Sequence, residues 1–324
     1  MSRVRDARAG AGPWWIPLLL GIVLTWAAAA LLQWHNQRLI AEQANALADA
    51  AEAGIQERFN RFEYGLRGTR GAVIAAGVDQ VTRPQFEDYI NSRETSREFP
   101  GALGFGFIRR VPVAREAEAL ARMRADGAPQ FSIRTLTPHD GDRFVIQYIY
   151  PVQGNEKAVG LDIASEANRR AAALASARDG RPHLTEPITL VQADGKPRRG
   201  FLALLPVYAG HGALQTPAAR ERAVAGWSYA PLVVDDVLAD LGPLMAQSAI
   251  TLADLDGKEP FYRSPGADSA AAPGLRVVRD ISVMGQQWQL ALVPDARAVE
   301  RLRLWPVAWV VVFGLMLTSL ALWT

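Results

Sequence analysis

The 324-residue chain contains no cysteine. Disulfides and thiolate chemistry are excluded, and the fold requires no particular redox compartment. Histidine is scarce. His35, His139, His183 and His211 lie far apart, near turns or the edge of the polar region. Without cysteine they make no structural zinc set. A net charge of only +2 supplies no basic field for nucleic acid. Catalytic signatures are missing too. There is no GxSxG, P-loop, GxGxxG or HExxH, and no phosphoacceptor-helix or GGDEF-type run. No catalytic region, cofactor or metal is expected of this chain. Asp254 and Asp256 before Gly257 lack the distal glutamate of a calcium loop, so a β-turn is expected there.

What the chain does have is two uncharged apolar runs, Trp14–Trp34 and Leu304–Thr324. About 20 apolar helical residues cross a bilayer core, so residues 14–34 and 304–324 both read as transmembrane helices. Arg3, Arg5 and Arg8 against a single Asp6 keep the tail, residues 1–13, in the cytoplasm. Residues 35–303 then lie outside the inner membrane. Gln33-Trp34-His35 is not a small-residue cleavage site, so the first run reads as an uncleaved anchor. A span that leads directly to the last residue is most economically explained by a cytoplasmic output region beyond this chain.

After the first span, Ile40, Ala44, Leu47, Ala51, Ile55, Phe59, Phe62, Leu66 and Val73 recur three, four or seven apart. That is one stripe on a long stalk helix over residues 35–77, ending near Gly77. Packing on its own domain would bury such a stripe. Pairing with a second copy would do so equally, and a homodimer through the stalk is the sharper expectation. Thr82 and Pro84 open a short helix. Residues 103–111, 131–135, 144–150 and 158–163 read as strands, and 114–126 and 166–177 as helices. Residues 188–192 and 200–208 read as a hairpin. The loop 209–219, small and polar, reads as the boundary at which the pattern restarts. The expectation is an α+β fold with two antiparallel-sheet subdomains, distal 78–208 and proximal 209–303, mounted on the long helix.

The runs FPGALGFGFIRRV (99–111), GNEKAVGLDIASEANRRAAALASARDG (154–180), LTEPITLVQ (184–192) and GFLALLPVY (200–208) occur in this order. Together they resemble the CHASE domain, the extracellular sensory domain associated with cyclases and histidine kinases, over roughly residues 55–300. The resemblance implies a stalk helix, two PAS-like subdomains, a dimer and a small-molecule pocket in the distal subdomain. In the plant members, which are cytokinin receptors, an aspartate at a strand end binds the adenine ring system. Asp162 matches it, and Leu184 matches a pocket leucine. The plant members carry a threonine near the position of Leu204, a departure from the purine pocket.

The candidate ligand contacts are thus Asp162, Leu184, Phe105, Tyr148, Tyr150 and Ala203. On the residues alone, Asp162 also reads as the cap of the next helix, and the aromatics as sheet core. Tyr148 and Tyr150 share a strand face, so one environment is expected to take both. Arg109-Arg110 and Arg198-Arg199 read as solvated charges. The function implied is a transmembrane sensor that signals through the second span to a histidine kinase or diguanylate cyclase output. Its partners would be a small molecule and the membrane. A protein-interaction module using a sheet edge is the alternative. An anchored hydrolase lacks the required residues.

Overall fold

The computed structural model describes residues 15–191, 197–210, 214–239, 241, 247–255, 259–265, 275–302 and 306–323. The expected cytoplasmic tail, His211, the turn at Asp256-Gly257 and the tip of the 188–208 hairpin lie outside these residues.

The periodic stripe does form one helix, α1 (Trp15–Ala76). It stops at Gly77, whose φ of +85° is open to glycine at little cost. Helix α2 (Arg83–Asn91) starts at Thr82, which forms a capping box with Gln85. After α3 (Thr95–Glu98) come β1 (Phe105–Val111), α4 (Glu116–Ala125), β2 (Arg134–Thr135), β3 (Arg143–Tyr150) and β4 (Leu161–Asp162). Next are α5 (Ala167–Asp179), β5 (His183–Leu184), β6 (Ile188–Val191), β7 (Pro197–Tyr208) and α6 (Pro217–Ala223). Then β8 (Val224–Val233) runs into α7 (Val234–Leu238). A second group follows: β9 (Ser248–Asp254), β10 (Tyr262–Arg263), β11 (Val277–Val283) and β12 (Gln286–Pro294). Helices α8 (Ala296–Leu302) and α9 (Val307–Trp323) close the described chain.

The strands make two sheets. The first runs β2-β4-β3-β1-β8-β7-β5, with β6 added beside β7; the second runs β10-β9-β12-β11. All pairings given for the described residues are antiparallel except β2 with β4. The fold is α+β, with a long N-terminal helix and antiparallel sheets.

Two expectations need correction here. The loop 209–219 does not separate the sheets. The strand after it, β8, sits in the middle of the first sheet, paired with both β1 and β7. The chain changes sheet only after α7. Local composition marks a loop, but it carries no trace of a pairing between strands over a hundred residues apart.

The α1 stripe, in turn, is covered by the chain itself. Ala51, Ile55, Phe59, Phe62, Leu66 and Val73 are buried in one core with residues of both sheets. Phe59 meets Trp288 of β12 edge-on at 5.3 Å, and Trp288 meets Phe201 of β7 at 5.2 Å. Each such side chain contributes roughly 1.5–3 kcal/mol of burial. A surface already spent in this way is not free to pair with a second copy.

Of the described helices, α1 alone is long and apolar enough to cross a membrane; the apolar segment of α9, Val307–Leu320, is shorter. The two cross closely. A Cβ on Gly21 would stand 2.4 Å from the Thr318 hydroxyl, and one on Gly314 would stand 2.3 Å from that of Thr25. Each threonine hydroxyl bonds the carbonyl four residues before it in its own helix, Gly21 at 2.8 Å and Gly314 at 2.7 Å.

Candidate ligand-binding site

The first sheet has two dressed faces. The face toward α1 carries Phe105, Phe107, Tyr148, Phe201 and Ala203. The opposite face is roofed by α5, whose Ala172, Ala173 and Ala177 pack on Phe144, Leu202 and Trp227. Alanines let the helix lie close to the sheet, and Gly180, at φ +79°, ends it.

Tyr229 lies on this second face, in β8 between Gly106 of β1 and Leu204 of β7. Any Cβ on Gly106 would come within 2.2 Å of the Tyr229 ring, so the glycine is what admits it. The ring is wholly buried, and its hydroxyl has no hydrogen-bond partner among the described residues. Its neighbour Trp227 differs, since its Nε1 donates to the Ala173 carbonyl at 2.9 Å. Burial pushes the Tyr229 phenol well above the ordinary tyrosine range, and the Arg169 guanidinium opposes that rise.

Arg169 is the third residue of α5. The first turn is capped by the Glu166 carboxylate, which accepts from the backbone N–H of Asn168 at 3.0 Å and of Arg169 at 3.1 Å. The Arg169 side chain is mostly buried, and its Nε faces the Glu166 carboxylate as an ion pair at 3.5 Å, without a hydrogen bond among the described residues. Burial lowers its pKa, with Glu166 and then Tyr229 acting the other way. Asn168 beside it grips the backbone of Glu186 in both directions, at 2.8 and 3.3 Å.

A second polar centre lies toward α4. Tyr148 Oη donates toward Asp126 Oδ2 at 2.5 Å, with the Val81 carbonyl at 2.9 Å, and accepts from Gln147 Nε2 at 2.8 Å. Arg109 reaches Gln147, Asp79 and the Val78 carbonyl. These groups edge a cavity of about 150 Å³. Arg109 is therefore not a solvated charge as its sequence suggested. Arg109 shares the face of Phe105 and Phe107 by plain alternation along β1, and the bulge opposite Phe107/Ile108 inserts Gln147, its hydrogen-bond partner, into β3. Burial, then the Asp126 hydrogen bond, raises the Tyr148 pKa far above its usual value.

Asp162 is fully buried. Its Oδ1 accepts from the backbone N–H of Phe144 at 2.8 Å and of Ala164 at 3.0 Å, and its Oδ2 lies 2.7 Å from His139 Nε2. It caps the single 3₁₀ turn Ile163–Ser165. Ser165 Oγ adds a bond to the Asp162 carbonyl at 2.5 Å.

A family model described as the CHASE domain matches residues 79–262, more than half of the chain. The chain belongs to the CHASE family. CHASE domains are extracellular sensory domains, so the matched segment is sensory rather than catalytic. Two solved structures are similar in outline. One is the ligand-binding domain of the Pseudomonas aeruginosa PAO1 amino-acid chemoreceptor PctC in complex with GABA. It is 14% identical over 78% of this chain and 97% of that one, at a TM-score of 0.39. The other is the ligand-binding domain of Mlp24 with asparagine, 12% identical over 84% and 98%, at a TM-score of 0.43. No curated protein matches the chain.

The six contacts expected from the CHASE resemblance do not converge on one point. Phe105, Tyr148, Leu184 and Ala203 belong to the core around α1, with Tyr150 packed at its margin. Tyr148 and Tyr150 do share one environment. Asp162 sits at the far edge, paired with Val145 of β3. Leu184 has a different role, because its N–H donates to the Met284 carbonyl at 2.9 Å and its carbonyl accepts from Gln286 Nε2 at 2.7 Å. It joins the first sheet to the β11–β12 turn. Sequence reading missed His139, Arg169 and Tyr229. Tyr229 lies inside β8, and nothing local in the sequence marks a hydroxyl without a partner.

Proposed function

We propose that this chain is the extracytoplasmic sensor of a membrane receptor and binds a small molecule between the first sheet and α5. The observation that carries the reading is the Tyr229 hydroxyl. It is wholly buried without a hydrogen-bond partner among the described residues, at a cost of about 1–3 kcal/mol. Sites that keep such a cost are candidates for a ligand.

On this reading the chain sits in the inner membrane by two spans, α1 and α9, with the two sheets outside as PAS-like subdomains. Ligand binding moves α5. Asn168 passes the motion to Glu186, and Leu184 passes it to the β11–β12 turn, from which β12 leads through α8 to the second span. A histidine kinase or diguanylate cyclase beyond that span would take the output. A homodimer fits this scheme only through a face of α1 other than the buried stripe. A purine held by Asp162 would have to displace His139 from the carboxylate, so the Asp162 contact is the weaker part of the proposal.

The test is thermal unfolding of the full chain in nanodiscs with purines, amino acids and small organic acids. A ligand at a hundred times its Kd adds about 2.7 kcal/mol, a shift of several degrees. A chain that none of these stabilises would favour the rival reading, a module that binds a partner protein.

A further inference from the structure

We propose that the open cavity at the end of α1 is a second binding site, for a small carboxylate with an apolar body, and that Arg70 holds the carboxylate. The wall of this cavity contains neither Tyr229 nor any residue of α5 among the described residues. The site therefore does not rest on the reading given for the interface between the first sheet and α5.

The cavity has a volume of about 540 Å³, the size of a small-molecule pocket. Its wall joins segments far apart in sequence. Arg70 and Ile74 come from the last turns of α1, Val78 and Asp79 from the turn that follows, and Tyr208 and Leu214 from the end of β7 and the chain beyond it. Parts of this wall are already fixed. Asp79 Oδ1 accepts from Arg109 Nη1 at 2.9 Å, and Tyr208 Oη donates to the Ala177 carbonyl at 2.7 Å.

Arg70 is the unused group. It is half-buried, yet it makes neither a hydrogen bond nor an ion pair among the described residues. Glu63, two turns back on the same helix, is taken by Arg67, whose Nε donates to it at 2.8 Å. Asp79 is taken by Arg109. Burial, then the Arg67 charge, lowers the Arg70 pKa, while Tyr208 and Glu63 act the other way. An arginine left to water would not be held in this position beside Ile74 and Leu214.

The chemistry defines the partner. A guanidinium carries donors only, so the missing group is an acceptor. An anion also relieves the repulsion from Arg67. Its charge is limited, because Asp79 stands on the same wall and α1 ends there on its carbonyl pole, which is negative. A phosphate dianion would meet both with its second charge. One carboxylate suits one guanidinium and matches its fork with two oxygens. The rest of the ligand faces Ile74, Val78 and Leu214, so its body is apolar. Ile74 is 47% exposed without such a cover.

The position gives the site a consequence. Asp79 ties the end of α1 to β1, and Tyr208 ties β7 to α5. A ligand between them clamps α1, the helix that carries the N-terminal apolar run, against the end of the first sheet.

The experiment is titration calorimetry and thermal unfolding of the full chain in nanodiscs. The probes are isovalerate, phenylacetate and benzoate, each beside its amide, with inorganic phosphate as the other anion. The expected result is that at least one acid binds and its amide binds at least about tenfold more weakly, the scale of a charge-assisted bond. Arg70→Gln should weaken that acid by a similar factor, as should Ile74→Asp, which puts a like charge on the apolar wall. Tyr229→Phe should leave it unchanged. Without any probe, Arg70→Gln should keep the parent Tm, since the guanidinium bonds nothing among the described residues. A clearly lowered Tm in Arg70→Gln would show a structural cation and overturn the inference. So would acids that bind Arg70→Gln as well as the parent, phosphate that binds in their place, or a blank across all the acids. Acid binding lost in Tyr229→Phe and kept in Arg70→Gln would move the ligand to the interface with α5, which overturns this site and leaves the sensor reading in place.

Discussion

The backbone N–H of Leu184, in the edge strand of the first sheet, donates to the carbonyl of Met284 at the turn between β11 and β12. Gln286 Nε2 returns a bond to the Leu184 carbonyl at 2.7 Å. Leu184 thus ties the two sheets through its own backbone N–H and carbonyl, one meeting a main-chain carbonyl and the other the Gln286 side-chain amide. The turn is tight, with φ of +43° at Met284 and +79° at Gly285.

Gly285→Ala should loosen this junction. The added methyl would meet the His183 ring at 2.4 Å and would strain the backbone, at a cost of at least about 1 kcal/mol. Chemical denaturation measures the loss, and hydrogen exchange at the Leu184 amide should speed up. A variant as stable and as protected as the parent would show that the junction is incidental.

Asp162→Ala should destabilise the domain by about 2–4 kcal/mol, because it removes a cap and leaves the buried Phe144 N–H without its acceptor. His139→Ala should cost less, since both backbone bonds survive. Full stability in Asp162→Ala together with a lost ligand response would instead make Asp162 a ligand contact.

Ile55→Ala should cost about 2–5 kcal/mol, the range for a large-to-small change in a packed core, since Ile55 is wholly buried between α1 and the sheets. The signature is a lowered denaturation midpoint without a matching change in sedimentation. A variant that falls apart only as an oligomer, with its monomer unaffected, would return the stripe to a dimer interface.

Gly314→Val should separate α9 from α1, because the Thr25 side chain already fills the space above Gly314. The absence of native cysteine makes this simple to read. Ala28→Cys and Val310→Cys line the same cleft and should cross-link in the parent. Equal cross-linking in Gly314→Val would show that the crossing does not depend on the glycine.

Alkaline pH should erode stability in a defined direction. Burial, with Asp235 adding to it, pushes Tyr262 up to about 12, and Tyr229 is raised as well. An unfolded tyrosine ionises near pH 10. Below that pH both states hold the proton and the contribution is intact. Above it the unfolded chain alone sheds protons, so stability falls as pH rises toward the folded values. Tm measured from neutral pH to pH 11 should show this, and Tyr229→Phe should flatten the slope. A flat profile in the parent would contradict the burial of these phenols.

The parts of the fold that were legible in sequence are those set by local rules. The stripe from Ile40 to Val73 foretold α1, Gly77 its end and Thr82 its successor's start. What buries the stripe was not legible, because periodicity gives a face and not its partner. The place of β8 was hidden for a related reason. The pairing of Gly106 with Tyr229 is a fact of topology, and a loop of small residues looks the same inside a domain as between two. The candidate site was the least legible part. Asp162 was found, but its neighbour His139 was set aside as a loop residue. Tyr229 becomes notable only when its buried hydroxyl is seen to lack a hydrogen-bond partner among the described residues.

The late arrival of β8 also bears on how the domain is made. β1 leaves the ribosome more than a hundred residues before the strand that must lie against it, and β7 waits beside the same gap. A fragment cut at 208, where composition invites the cut, would carry two open inner edges and should aggregate rather than fold. The shortest piece that closes the first sheet extends through α7. Even that piece leaves one side of α1 bare until β9–β12 are added. Synthesis, secretion and any effort to produce the sensor alone must deliver nearly all of the outer region before its core can form.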